Sequence, residues 1–443
     1  MQFGSTRDPA VRAGLDEALQ AGLAPDGGLY VPLQLPRLGP ACMPREIDLP
    51  ACAVEVLAPF FAGSSLAGRL DSICRQALNI DLPLVALEDD PAAWIMELFH
   101  GPTAAFKDFA ARFLAACLAA LNEGVNEGQA ATRTVLVATS GDTGAAVAAA
   151  FHGRPGFRVV ILYPDGRVSA RQAHQLGAFG GNVHAFRVQG DFDDCQRMAK
   201  QLLGDPEQVQ RHGLTSANSI SIGRLLPQIS YYALTALRLQ RMDRGNDAEP
   251  PDFIVPTGNL GNALACVLAR EIGFPIGAVH LATNANRTLP DYFEGSDYRG
   301  RPGLKTLANA MDVGDPSNFE RLAWFYRKHD PREAAIHAES IDDAAIRSRI
   351  ISEFRQHGRV ICPHTACAME LLHRLRERGH DRPAVVAATA HPAKFEQVIE
   401  PLIGQTVQPP AELARLLRAP THAEVLVPES QALVRALAHL AGD

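Results

Sequence analysis

The chain has 443 residues, 47% of them hydrophobic and 21% charged, with a formal net charge of −7. That length points to two or three domains, and the composition excludes a disordered protein. Acidic and basic residues are interspersed, so no nucleic-acid or membrane-surface partner is expected, and an anionic ligand needs a local cluster of donors.

The opening Met1 to Asp8 is polar and lacks the apolar run of a signal peptide. Short helices are expected at Ala10 to Ala21, Cys52 to Phe61 and Leu66 to Leu78. Between the first two, Ala24-Pro25-Asp26-Gly27-Gly28 turns the chain into an extended Leu29 to Pro32. From about residue 95 strands and helices alternate, which predicts parallel sheets with crossover helices. The expected strands are continuous apolar runs, as strands buried on both faces should be. They are Thr134 to Ala138, Arg158 to Tyr163, Phe253 to Pro256, Ala278 to Ala282, Val360 to Cys362 and Ala384 to Ala388. Helices are expected at Phe109 to Leu121, Ala145 to Phe151, Asp193 to Leu203, Leu225 to Leu239 and Asn262 to Glu271. Met242 to Pro251 reads as a surface connection, and the chain after residue 405 as a tail with one helix, Ser430 to Ala441. The longest apolar stretch near a helix, Phe113 to Leu121, is too short to span a bilayer. The eight cysteines are scattered without a CxxC pair, as reduced core thiols are, and a soluble cytoplasmic protein is expected. Cys362-Pro363-His364-Thr365-Ala366-Cys367 offers three ligand types, but Pro363 stiffens it and no second half accompanies it, so no metal is expected.

Five segments carry chemistry. Lys107 lies between Phe106 and Phe109, after a Gly101-Pro102 turn and at the start of an expected helix. Apolar walls disfavour its ammonium form, and a neutral amine can condense with an aldehyde. Thr139-Ser140-Gly141-Asp142-Thr143-Gly144 follows a strand, and its backbone N–H groups with the Ser140 and Thr143 hydroxyls suit a carboxylate. Thr257-Gly258-Asn259-Leu260-Gly261-Asn262 is a second nest, suited to phosphate, and is neither a Walker loop nor a dinucleotide fingerprint. Ser216 to Arg224 sets Asn218, Ser219 and Arg224 close together, and arginine binds phosphate in a bidentate manner. Thr389, at the end of an expected strand, places a hydroxyl where it can hydrogen-bond a heteroaromatic nitrogen without protonating it. Taken singly, these segments also read as ordinary capped helices, turns or solvated loops.

Taken in order, the segments resemble the threonine synthase family, within the fold-type-II class of pyridoxal-phosphate enzymes. The residues that carry the resemblance are Leu98 to Phe109, Ala138 to Gly144, Ser216 to Ser219, Pro256 to Asn262, Ala282 to Asn286, Leu307 to Asp312 and Ala390 to Phe395, with Ser5 to Arg7 and Gly22 to Pro32 near the start. The resemblance implies an α/β protein with two parallel-sheet domains, the cofactor between them and an N-terminal mixed domain. The expected division is residues 1–95, a large domain of 96–130 and 215–405, a small domain of 131–214 and a tail of 406–443.

It further implies that Lys107 bonds pyridoxal 5'-phosphate, that Gly258, Asn259, Leu260, Gly261 and Asn262 hold its phosphate, and that Thr389 faces its pyridine nitrogen. Ser140, Asp142 and Thr143 would line the substrate-carboxylate and ring-oxygen side, and Asn218, Ser219 and Arg224 would bind the substrate's own phosphate. The implied reaction turns O-phospho-L-homoserine and water into L-threonine and phosphate, in a monomer or homodimer. A related phospho-lyase, a serine/threonine dehydratase and a non-catalytic binding protein on the same fold are the alternatives. Three places depart from the family pattern, one of them Ala110 and Ala111, where glycines are common and only helix packing is expected to change. Asp142 stands where many relatives have Asn, and an anion beside a phenolate must turn away or share a proton. Cys362 stands where an acidic residue is common.

Overall fold

The computed structural model describes residues 1–44, 46–123, 132–139, 141–242 and 249–442. In chain order its strands are β1 Phe3–Ser5, β2 Tyr30–Pro32, β3 Leu84–Ala86, β4 Ala93–Glu97, β5 Arg133–Ala138, β6 Phe157–Pro164, β7 Val183–Val188, β8 Leu214–Ser216, β9 Asp252–Pro256, β10 Val279–Thr283, β11 Ile336–Ser340, β12 Ala384–Ala388 and β13 Ala423–Leu426. β1 and β2 form an antiparallel ribbon. A six-stranded sheet has the order β11-β10-β9-β12-β4-β3, parallel except for β3, and a five-stranded sheet has the order β13-β7-β6-β5-β8, parallel throughout.

The central strands are apolar along their whole length because helices cover both faces. Every residue of β9, β10 and β12 is buried. One continuous core joins the two large sheets. It runs from Val135 and Val137 of β5, through the helices Lys107–Glu123 and Asp142–Phe151, to Phe253 and Val255 of β9 and Val385 of β12. These two helices pack along each other. Alanine supplies much of both sequences, which favours the helix and lets the axes approach. A second cluster fills the far face of the large sheet and a third the far face of the small one.

In the large sheet the register opens a crevice. β12 stays paired with β4 to its last residue, Ala388 against Glu97, but its pairing with β9 stops at Val386 against Ile254. The segments after β9 and β12 therefore part beyond the carboxyl ends of the strands, where open α/β sheets bind ligands.

Several elements differ from expectation. Val360 to Cys362 is not a strand. Gly358 ends one helix in a left-handed conformation and Pro363 begins the next, which leaves no length for a strand. The helix expected over Leu225 to Leu239 is split at Pro227 into Ile222–Leu225 and Gln228–Met242, because proline lacks the donor that would continue it. β4 lies at the end of the segment read as N-terminal, and β7, β8 and β11 were not anticipated. The chain after residue 405 carries two helices, Ala411–Arg418 and Ser430–Gly442, and β13, which forms the edge of the small sheet.

Candidate active site

Lys107 is delivered by a turn tied to the end of β12. Phe106 N–H donates to the Thr389 carbonyl (2.9 Å), and His391 N–H donates to the Ala104 carbonyl (3.0 Å). Ala104 takes a positive φ of 56° to make this turn, a conformation uncommon for a residue with a Cβ. Asp108 fixes the helix start by accepting from Thr103 N–H (2.9 Å) and Thr103 Oγ1 (2.7 Å). Lys107 Nζ lies 5.5 Å from the centre of the Phe106 ring and 3.9 Å from Asp142 Oδ2. Burial lowers its pKa to about 8, against the pull of Asp142 and with help from Lys394 and Arg224. Burial thus disfavours the ammonium form of this lysine.

Asp142 is the first residue of its helix, after Gly141, whose φ of 136° suits glycine alone. A Cβ on Gly141 would also lie 2.7 Å from Gln172 Nε2. Asp142 has its charge answered by two side chains. Lys394 Nζ, fully buried, donates to its Oδ1 at 2.9 Å, and Gln172 Nε2 donates to the same oxygen at 3.0 Å. Burial pushes this carboxyl up, but Lys394 and Lys107 together outweigh it and hold it well below the usual carboxylate range. The loop is shaped by Thr139, whose Oγ1 accepts from Gly141 and Gly144 N–H, both at 2.9 Å. Ser140 lies outside the described residues.

The loop after β9 turns through Leu260, a second non-glycine residue with positive φ (63°), and opens the helix Gly261–Glu271. At Gly258 a Cβ would sit 2.7 Å from Met311 Cα, so only glycine fits there. Asn259 ties this loop to its neighbours, donating from Nδ2 to Ser219 Oγ (2.6 Å) and accepting at Oδ1 from Ser317 N–H (2.6 Å). Asn262 Oδ1 accepts from Tyr231 and Tyr232 hydroxyls (2.6 and 2.9 Å), while its Nδ2 is buried without a partner among the described residues.

Beyond β8, Asn218 Nδ2 donates to the Ala138 carbonyl (3.2 Å), and its Oδ1 is left free among the described residues. Arg224 is buried, donates from Nη1 to the Ala217 carbonyl, and has an unpartnered Nε. Burial lowers its pKa to about 10, which still leaves it cationic. No carboxylate forms an ion pair with it among the described residues.

One cavity, of about 180 Å³, is lined by Lys107, Asp142, Thr143, Asn218, Ser219, Arg224, Gly258 to Asn262 and Thr389. Apart from Ser140, every residue singled out in the sequence is therefore brought to one place. His364 also faces it. Burial lowers this imidazole to about 4, and its Nε2 accepts from Ala310 N–H (3.1 Å), so it is a neutral acceptor there. Cys362 is an N-cap whose Sγ accepts from Thr365 N–H (3.4 Å). Sequence reasoning gave Lys394 and Gln172 no role, because their partner Asp142 is remote in sequence from both. The one metal-type group among the described residues, Asp252, His280 and His380, lies at the opposite end of β9 and β10, and its imidazoles hydrogen-bond a single carboxylate oxygen (3.4 and 2.7 Å).

The donor set fits a phosphorylated aldehyde on a heteroaromatic ring. An amine that can be neutral, a backbone nest with an orphaned Asn262 amide and a hydroxyl at a strand end are what such a ligand requires. The comparisons agree. The chain matches the family model described as pyridoxal-phosphate dependent enzyme over residues 79–390, with the threonine synthase N terminus over 2–78 and the threonine synthase C-terminal region over 365–437. It is 34% identical to a threonine synthase of Haemophilus influenzae, over 91% of this chain and 92% of that protein. Its fold is similar to the crystal structure of threonine synthase from Escherichia coli (TM-score 0.89, 33% identity, 99% of this chain and 100% of that one). It is equally similar to a PLP-bound threonine synthase from Brucella melitensis (TM-score 0.88, 33% identity, 99% of each chain).

Proposed function

The chain belongs to the threonine synthase family of pyridoxal-phosphate enzymes, and on that premise we propose that Lys107 both bonds the cofactor and moves the substrate's protons. The reaction is the conversion of O-phospho-L-homoserine and water to L-threonine and phosphate, the last step of threonine biosynthesis. When bound, pyridoxal phosphate supplies an electron sink for the pair left at a deprotonated carbon.

The backbone of Gly258 to Asn262, with the free Asn262 amide, would hold the cofactor phosphate at the start of its helix. Thr389 would face the pyridine nitrogen, where a neutral hydroxyl leaves that nitrogen less protonated than a carboxylate would. Thr143 and the N–H groups beside it, with Ser140, would take the substrate carboxylate. Lys107, freed as an amine, would take the Cα proton and, once relieved of it, the Cβ proton; Cγ takes up one proton as phosphate leaves and Cα one after water adds, so the two removed are returned. A base in that position is worth about 10²–10⁴-fold. Asn218, Ser219 and Arg224 would bind the phosphate that leaves from Cγ, and water adds at Cβ. The observation that supports this reading is a single cavity with a buried, unpaired arginine at one wall and a separate phosphate-type nest at another. A dehydratase needs only one such site. We read the protein as cytoplasmic, a monomer or homodimer, with no nucleic-acid partner. No helix among the described residues is long and apolar enough to cross a membrane.

The test is product analysis with phosphohomoserine, together with borohydride reduction of the loaded protein and peptide mass spectrometry. Threonine and phosphate in equal amounts and an adduct on Lys107 are expected. Release of 2-oxobutyrate, or an adduct on another residue, would overturn the assignment.

A further inference from the structure

Lys394 is fully buried and stands outside the lining of the cavity. Its Nζ makes two bonds, to Asp142 Oδ1 (2.9 Å) and to the Thr103 carbonyl (2.7 Å). Thr103 in turn holds Asp108 at the start of the Lys107 helix. Removing an ammonium from water altogether costs several kcal/mol unless a partner offsets it, so a merely structural tie is an expensive use of lysine. Asp142 meanwhile offers one oxygen to Lys394 and the other, at 3.9 Å, to Lys107.

We propose that Lys394 is a positioning residue for the reaction: by sharing the Asp142 carboxylate with Lys107 it prevents Lys107 from being fixed as an ammonium. The charged and titratable groups around Lys107 can be named. Asp142 is the anion that faces it, and Lys394 and Arg224 are the cations that act on it. His364, from the helix Pro363–Glu377, is neutral, and Asp108 turns its carboxylate to Thr103. One anion is thus divided between two lysines. Without Lys394, Asp142 would face Lys107 alone, and one repelling cation would also be gone. Both changes favour the ammonium, which cannot condense with an aldehyde. The inference rests on Lys107 being the cofactor lysine.

The test is competitive acetylation of the full-length protein freed of cofactor, using trace acetic anhydride across the neutral and alkaline range, with Lys107 read by peptide mass spectrometry. Lys394→Met should move the Lys107 midpoint upward by about one unit or more, so that about tenfold less neutral amine is present at a given pH below it. Lys394→Arg should restore most of the wild-type value. A midpoint that is unchanged or lower in folded Lys394→Met would overturn the proposal. If that variant does not fold, Asp142→Asn serves instead. It should lower the midpoint, because Lys394 then repels Lys107 unopposed, and an unchanged midpoint would overturn the proposal equally. The failure of this idea is separable from failure of the assignment. An adduct found away from Lys107 bears on the cofactor lysine, whereas the labelling reads the three charged groups directly.

Discussion

Two buried cations shape the site, and they differ in what answers their charge. Lys394 is paired with Asp142, but Arg224 has no carboxylate partner among the described residues and only the Ala217 carbonyl as acceptor. A cation left in this state favours an incoming dianion, since a hydrogen bond to a charged group contributes about 1.5–3 kcal/mol. Arg224→Ala should therefore raise KM for phosphohomoserine about 10–100-fold while changing the cofactor Kd by much less. Steady-state kinetics and a cofactor titration read the two separately, and an equal loss of both would place Arg224 elsewhere. Gly258 makes the opposite kind of contribution, by what it lacks. Gly258→Ala puts a methyl 2.7 Å from Met311 Cα, and backbone must move to admit it. Such overpacking costs about 1–3 kcal/mol, so cofactor affinity should fall about tenfold or more. Gly261→Ala should cost less, because the nearest atom to its Cβ, at 3.3 Å, is the side-chain Nδ2 of Asn318 and not backbone.

At the scale of elements, loops at strand ends are held in place by neighbours as well as by their own residues. The turn before Lys107 hangs from Thr389 and His391, and Asn259 links the loops after β8 and β9. Both site loops contain a strained residue, Ala104 and Leu260, as is common where geometry serves a ligand. The helix Pro363–Glu377 brings His364 into the same cluster as a neutral ring, and this has a consequence for acid stability. The pKa of His364 is depressed in the folded state, from 6.5 to about 4. Its contribution is fully present above the ordinary histidine value and is lost as pH falls towards 4, up to about 3 kcal/mol. Thermal melts should show Tm dropping across that window, with a shallower drop for His364→Gln. An identical slope in the variant would assign the acid sensitivity to other groups, of which His391, lowered to about 4 by burial, is the first to test.

At the scale of the whole molecule, the two sheets are joined by a shared core and by polar ties across the seam. Arg171 donates from Nη1 to the Ala393 carbonyl (2.6 Å) and lies 3.7 and 3.6 Å from Glu396 and Glu400, beside the Lys394–Asp142 pair. The chain end returns to the small sheet, where β13 adds an edge and Leu433 and Leu437 fill the far-side core. Leu433→Ala should cost about 2–5 kcal/mol, read as a lower denaturation midpoint, and an effect near zero would mean that this helix is not part of the folding unit. Strands β5, β6, β9, β10 and β12 were legible because burial on both faces writes itself as an unbroken apolar run. β3, β8 and β13 were not, since short edge strands need little apolar surface. The cofactor lysine, the phosphate nest and the arginine loop could be read because each is local: a residue type, a glycine spacing, a strand end. What the sequence by itself determined was this set of chemical groups and the alternating architecture that carries them. Only the tertiary structure decided how Asp142 bears its charge, which partners Lys394 meets and that Cys362 caps a helix. Pairing between side chains 252 residues apart depends on where two chain segments meet in space, and nothing in the local composition records that.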